Sequence, residues 1–198
     1  MTGPLLTTSR LALSSCRATD AEWLHALWTD PDVRRYLWDG VVIPLERTAA
    51  AIEASRADFE ARGHGLWVLT QRDTGVRVGF AGLRTAAWEP TPEIVYGLDP
   101  RQWGHGFAVE AAAAVLAHAF TVLTLPRVVA ATNPPNVRSI RVLERLGMRL
   151  ERTGDLDGCE TRFYAVDRDG FHNRSLHSET DRAGYPRGVE QPGSSSGS

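Results

Sequence analysis

The chain contains no lysine: all 22 of its basic residues are arginine. That excludes mechanisms resting on a lysine side chain, among them a P-loop phosphate clamp, a Schiff base and a lysine general base. Cysteine is nearly as scarce. Cys16 and Cys159 are too few for a disulfide framework, and their spacing fits no zinc motif. Two free thiols in a reducing cytoplasm, with no metal site, are expected. No basic segment followed by a long apolar run opens the chain, so no signal peptide is expected. The stretch Phe107 to Leu125 is broken by Glu110 and His118. It reads as an Ala-rich buried helix and not a membrane span. Neither sign of charge is in excess. A formal net charge of −2 gives no argument for a nucleic-acid or anionic-membrane partner.

What is present suits one domain. The 198 residues are 42% hydrophobic and 23% charged, enough to bury a core. Arg10 to Arg17 alternates as an opening strand would. Thr19-Asp20 offers a cap for a helix over Ala21 to Trp28, and a short helix follows over Asp30 to Tyr36, with Pro31 in its first turn. Leu45 to Arg62 is a helix stopped by Gly63 and Gly65. Leu66 to Gln71 and Arg77 to Leu83 form a hairpin across Arg72-Asp73-Thr74-Gly75. Glu93 to Leu98 is a third strand. The pattern then alternates: helix Phe107 to Leu123, strand Arg127 to Thr132, helix Asn136 to Leu146, and closing strands Met148 to Arg152 and Thr161 to Asp167. The expected fold is α/β: a mixed sheet with helices on both faces. The domain is expected over residues 1–169. From about Gly170 the chain turns polar, and residues 170–198 are expected to form a disordered tail.

The most informative stretch is Leu98-Asp-Pro-Arg101-Gln102-Trp103-Gly104-His105-Gly106-Phe107-Ala108-Val-Glu110. A strand ends, a glycine-bearing turn follows and a helix begins. Without Cβ atoms, Gly104 and Gly106 let an anion approach their amides, and the helix dipole favours negative charge there. Arg101 can add a charge-assisted contact. A glycine pair also serves as a plain helix cap. It is not the dinucleotide fingerprint, because Val109 stands where the third glycine would fall.

Arg101-x-x-Gly104-x-Gly106 resembles the acetyl-CoA diphosphate loop of the Gcn5-related N-acetyltransferases (GNAT), Gln/Arg-x-x-Gly-x-Gly/Ala. Further on, Asn136-Val-Arg-Ser139-Ile-Arg-Val-Leu143-Glu-Arg-Leu-Gly147-Met148 resembles that family's second CoA element, Asn-x-x-Ser-x-x-x-Leu-x-x-x-Gly-Phe, with Met in the last place. Thr8-Ser-Arg-Leu11 and Asp30-Pro-Asp-Val33 resemble the RimJ/RimL-type branch, which includes ribosomal-protein N-terminal acetyltransferases. The resemblance covers roughly residues 8–168. It implies a mostly antiparallel sheet with a parallel central splay between Glu93–Leu98 and Arg127–Thr132.

The resemblance also implies a reaction. An amine attacks the thioester of acetyl-CoA directly, while backbone groups near Tyr96, Gly97 and Leu98 hold the pantetheine arm. Around the diphosphate it implies Arg101 through Ala108, with His105 a candidate phosphate contact or simply an exposed turn residue. The amine must lose a proton first. At pH 7 this costs about 1.4 kcal/mol for an α-amino group and nearly 5 kcal/mol, roughly, for a lysine amine. A base and a donor for the leaving thiolate therefore help. Glu93 is the first candidate base, with an exposed strand-end carboxylate as its plain alternative; Glu89 is the second. Ser139 is the candidate for meeting the CoA sulfur, or for bonding its own helix backbone. Asn136 is a candidate CoA contact or simply a helix cap.

Many members of the family carry Tyr four residues after the Ser139 position. Leu143 stands there, so the acid is unassigned and Tyr164 is a stand-in. Trp38 or Trp88 is a candidate wall of the acceptor cleft, beside core packing. Asp39 and Glu89 are candidates to attract a cationic amine. The expected acceptor is a protein N-terminus or a small-molecule amine. The alternative is a catalytically inactive acetyl-CoA-binding sensor. The protein is expected to act in the cytoplasm as a monomer or homodimer.

Overall fold

The structure is a computed structural model in which residues 3–86 and 88–171 are described. The tail expected over residues 170–198, with His172 and His177, lies largely outside them, as does the side chain of Asp39.

A hairpin of β1 (Leu6–Thr7) and β2 (Leu11–Ser15) opens the chain. Then come α1 (Ala21–Thr29), α2 (Pro31–Arg34) and α3 (Leu45–Arg62). The meander β3 (Leu66–Gln71), β4 (Arg77–Thr85) and β5 (Pro92–Leu98) leads into α4 (Phe107–Thr121) and β6 (Arg127–Thr132). α5 (Val137–Arg145), β7 (Arg149–Leu156) and β8 (Cys159–Asp167) close the fold. All eight strands join one sheet in the order β1-β2-β3-β4-β5-β6-β8-β7. Every pairing is antiparallel except β5 with β6. Those two strands are joined through α4, a crossover long enough to return the chain in the same direction.

Helices cover both faces. Leu24, Leu27 and Trp28 of α1 and Ile52 of α3 pack with Val68 and Phe80 on one face. Phe107, Ala111, Val115 and Ala119 of α4, at four-residue spacing, pack with Ile140 and Leu143 of α5, Leu83 and Ile94 on the other. Leu123, the next member of that series, lies past the helix end and is only partly buried. Trp67 is fully buried, edge-on to Phe59 at 4.7 Å and to His118 at 5.7 Å.

Some local expectations shift. Asp20 does not cap α1 by its side chain; the carboxylate accepts from Arg17 N and pairs with Arg77 at 2.9 Å. Val137 is 49% exposed and off the apolar face of α5. β7 runs to Leu156 and meets β8 through Asp157 and Gly158, both at positive φ (52° and 82°). Residues 168–171 continue as a helical turn that sets Phe171 5.3 Å from Phe120. No helix among the described residues is long and apolar enough to cross a membrane.

Candidate functional site

Between β5 and β6 the sheet comes apart. Glu93 and Val129 are the single paired position of the two strands, although each is fully paired on its other side. The β5 backbone from Tyr96 onward therefore presents an edge to the gap and not to β6. Leu98 is an exception: its carbonyl accepts from the indole Nε1 of Trp103 at 3.1 Å.

The turn after β5 is built around Asp99. Its carboxylate caps the 3-10 turn Pro100–Gln102 by accepting from Arg101 N. Gly104 has φ 84°, and a Cβ there would meet nothing within 4 Å. Gly106, at φ 79°, is the N-cap of α4 and has no side chain with which to cap it. The amides of Phe107, Ala108 and Val109 are thus left open at the positive end of a 15-residue helix. The left-handed backbone favours glycine at both positions; the space outside Gly104 is empty and suits an anion, while a Cβ on Gly106 would lie 3.6 Å from Arg10 Nη2.

The cations around this turn are not equivalent. Arg101 does not point its charge at the turn. Its Nη2 lies 2.6 Å from Asp99 Oδ2 and its Nε 3.0 Å from Oδ1. That guanidinium holds the Asp99 carboxyl below the usual carboxylate range. Arg10 donates to the His105 carbonyl at 2.9 Å and is neutralised by Glu110. Burial pushes the Glu110 carboxyl up, but hydrogen bonds from Thr8 and Arg10 outweigh it and leave it below its ordinary value. The imidazole of His105 is exposed, with Nδ1 3.3 Å from the Gln102 carbonyl. Arg138, in the first turn of α5, carries no ion pair among the described residues; its guanidinium sits 4.2 Å from the Trp103 ring centroid. It occupies an x of the Asn-x-x-Ser pattern, so the motif did not single it out.

A cleft of about 280 Å³ runs through the splay. Its walls include Glu93, Tyr96, Asn136 and Ser139, with Trp28, Tyr36, Trp38 and Phe80 on the α1–α3 side. Glu93 is not an exposed strand end: it is 3% exposed and accepts from Arg84 Nε at 2.7 Å. Asn136 caps α5, its side chain accepting from Ser139 N at 3.2 Å. Ser139 does not bond back along its helix through Oγ; that atom lies 2.9 Å from the Tyr96 hydroxyl. The Tyr96 hydroxyl also donates to the Ser139 carbonyl at 3.2 Å, and burial pushes the phenol well above its usual range. A phenol thus stands beside Ser139 although Leu143, on the helix, is buried core. Sequence reading placed Tyr96 here for its backbone and missed its side chain.

Other expected residues lie elsewhere. Tyr164 packs in the core under α4 and α5. Trp88 packs edge-on to Phe163 at 4.7 Å and lines no part of the cleft. Glu89 accepts from Thr91 and faces Arg127 at 3.9 Å, away from the cleft. Trp38 does line it, with a φ of 54° that is rare for a bulky residue. Its ring lies 5.6 Å from that of Trp28. Among the described residues no cluster of His, Cys, Asp and Glu could hold a metal ion.

A sheet opened at its one parallel pair, beside a glycine turn heading a helix, is the arrangement implied by the resemblance to the acetyltransferases, and comparison agrees. A family model described as an acetyltransferase (GNAT) domain matches residues 10–149. The chain belongs to the GNAT acetyltransferase family. It is 30% identical over 149 residues to YoaA of Bacillus subtilis, named an uncharacterized N-acetyltransferase; the match spans 75% of this chain and 84% of YoaA. An acetyltransferase structure from Agrobacterium tumefaciens superposes with a TM-score of 0.73 at 28% identity, covering 82% of this chain and 94% of that one. RimL, a ribosomal L7/L12 α-N-protein acetyltransferase solved with coenzyme A, shares the fold at a TM-score of 0.71 and 18% identity, covering 84% and 99%.

Proposed function

We propose that this protein transfers the acetyl group of acetyl-CoA to a primary amine by direct attack. The observation that carries the reading is the cleft through the β5–β6 splay, lined by Glu93 from one sheet face and by Tyr96 and Ser139 from the other. The open amides at the head of α4 suit the diphosphate, and the space beside Gly104 leaves room for it. The free β5 edge at Tyr96 and Gly97 offers strand-like hydrogen bonds to the pantetheine amides. Glu93 takes a proton from the incoming ammonium. The Ser139 hydroxyl, oriented by Tyr96, donates to the departing sulfur.

Incubation with acetyl-CoA and a broad panel of amines and peptides, read as free thiol, tests this. Amine-dependent thiol release well above background is the expected result. Stabilisation by acetyl-CoA with no release from any amine would favour a binding or sensing role instead.

Arg138 is a cation beside the turn with no carboxylate partner among the described residues, whereas Asp99 and Glu110 pair with Arg101 and Arg10. Arg138→Ala is expected to weaken acetyl-CoA binding about fivefold, one charge-assisted contact at a half-solvated site. Isothermal titration reads this; an unchanged Kd would assign Arg138 to packing on Trp103 alone.

A further inference from the structure

We infer that the acceptor is a small zwitterion, an α-amino acid with an apolar side chain, recognised by Arg84 and Glu93 together; this rests on the acetyl-transfer reading above. Arg84 and Glu93 are register partners on β4 and β5. Strand alternation puts them on the sheet face that carries Phe80 and Val95, towards α1–α3. Both line the cleft.

Their pairing is incomplete in a particular way. Glu93 is buried and takes Nε of Arg84 at 2.7 Å. Arg84 is 54% exposed, and among the described residues neither of its terminal nitrogens has an acceptor. A guanidinium fork is therefore presented beside a carboxylate withdrawn from water. Among the described residues the other acid on the cleft, Asp58, is already paired with Arg62. The wall on the α1–α3 side carries the rings of Trp28, Tyr36, Trp38 and Phe80.

Each part of an amino acid has a complement here. A carboxylate can take two parallel bonds from the free edge of Arg84. The neighbouring ammonium then falls at Glu93, and an apolar side chain meets the indoles. A peptide N-terminus has a neutral amide where the carboxylate would sit, and leaves the fork unanswered. A polyamine sets a second cation against Arg84. A cleft of about 280 Å³ also suits a small acceptor.

The substrate carboxylate takes the terminal nitrogens of Arg84 while Nε stays on Glu93, so the ammonium is delivered beside a carboxylate already held in place to accept its proton. The ammonium gives one proton to Glu93, which passes it to solvent. The nitrogen bonds to the acetyl carbon, and the carbon–sulfur bond breaks. The second nitrogen proton ends on the sulfur as thiol. The products are one N-acetyl amino acid, one thiol and one released proton.

The test compares free apolar amino acids, their carboxamides and short peptides with the same first residue, using the full chain and acetyl-CoA. The expected kcat/KM for the free acid exceeds that for its amide at least tenfold. In Arg84→Gln that ratio falls at least tenfold, chiefly through KM for the acid, and Arg84→Lys restores part of it. Thermal stabilisation by acetyl-CoA, read on each variant, reports that the fold is intact. Faster turnover of amides or peptides, or a ratio untouched in folded Arg84→Gln, overturns the zwitterion assignment and leaves acetyl transfer standing. Thiol release from no acceptor overturns both.

Discussion

Glu93→Gln is expected to lower kcat by about a hundredfold or more, the usual contribution of a positioned base. Acetyl-CoA affinity should stay within about threefold, because Glu93 lies one strand segment before the backbone offered to the pantetheine arm. Glutamine keeps the shape and can still face Arg84 Nε, so the packing around β5 survives. What it loses is the ability to take a proton in the cleft. Steady-state thiol release paired with titration calorimetry separates the two effects. A kcat within a few-fold of the parent would mean that the buried carboxylate is a structural partner of Arg84 and that solvent removes the proton.

Gly104→Glu should weaken acetyl-CoA binding at least tenfold, about 1.4 kcal/mol. Two causes act together. The backbone there sits at φ 84°, where a side chain is strained, so the turn relaxes away from its open shape. The new carboxylate also enters the space an anion would use, at a helix terminus whose worth lies in its positive field. A Cβ at this position meets nothing within 4 Å, so the cost to the fold is the backbone strain alone, about 1–3 kcal/mol. The melting temperature without ligand should fall modestly, while the ligand-induced shift collapses. An intact shift would remove Gly104 from the site.

The helices and the meander were legible because their signals are local. Leu45–Arg62 was readable to the residue from its composition and its glycine stop. Phe107, Ala111, Val115 and Ala119 read as a buried face because each helical turn repeats the same apolar position. The Asp157-Gly158 turn was equally local, but the strands around it are so exposed that alternation gave no sign of where they ran. Trp88 was left open between cleft wall and core packing for a different reason. Nothing in its neighbours distinguishes a cleft wall from a ring packed on Phe163.

The site divides along the same line. The glycine turn and the Asn-x-x-Ser helix start could be read because each works through backbone amides a few residues apart. Arg84 with Glu93, Tyr96 with Ser139 and Arg138 with Trp103 could not. Each pair joins different elements, and strand register or helix docking alone determines which side chains meet. Arg101 and Arg138 are alike as sequence, yet one is spent on Asp99 and the other is left beside a ring.

By itself, then, the sequence determined most of the elements, the glycine turn at the head of α4 and the family. The tertiary structure alone decided which charges are neutralised, which carboxylate is buried in the cleft and which phenol reaches Ser139. The physical reason is range: hydrophobic periodicity and backbone geometry act over a few residues, whereas desolvation and charge pairing depend on whatever the fold carries into contact.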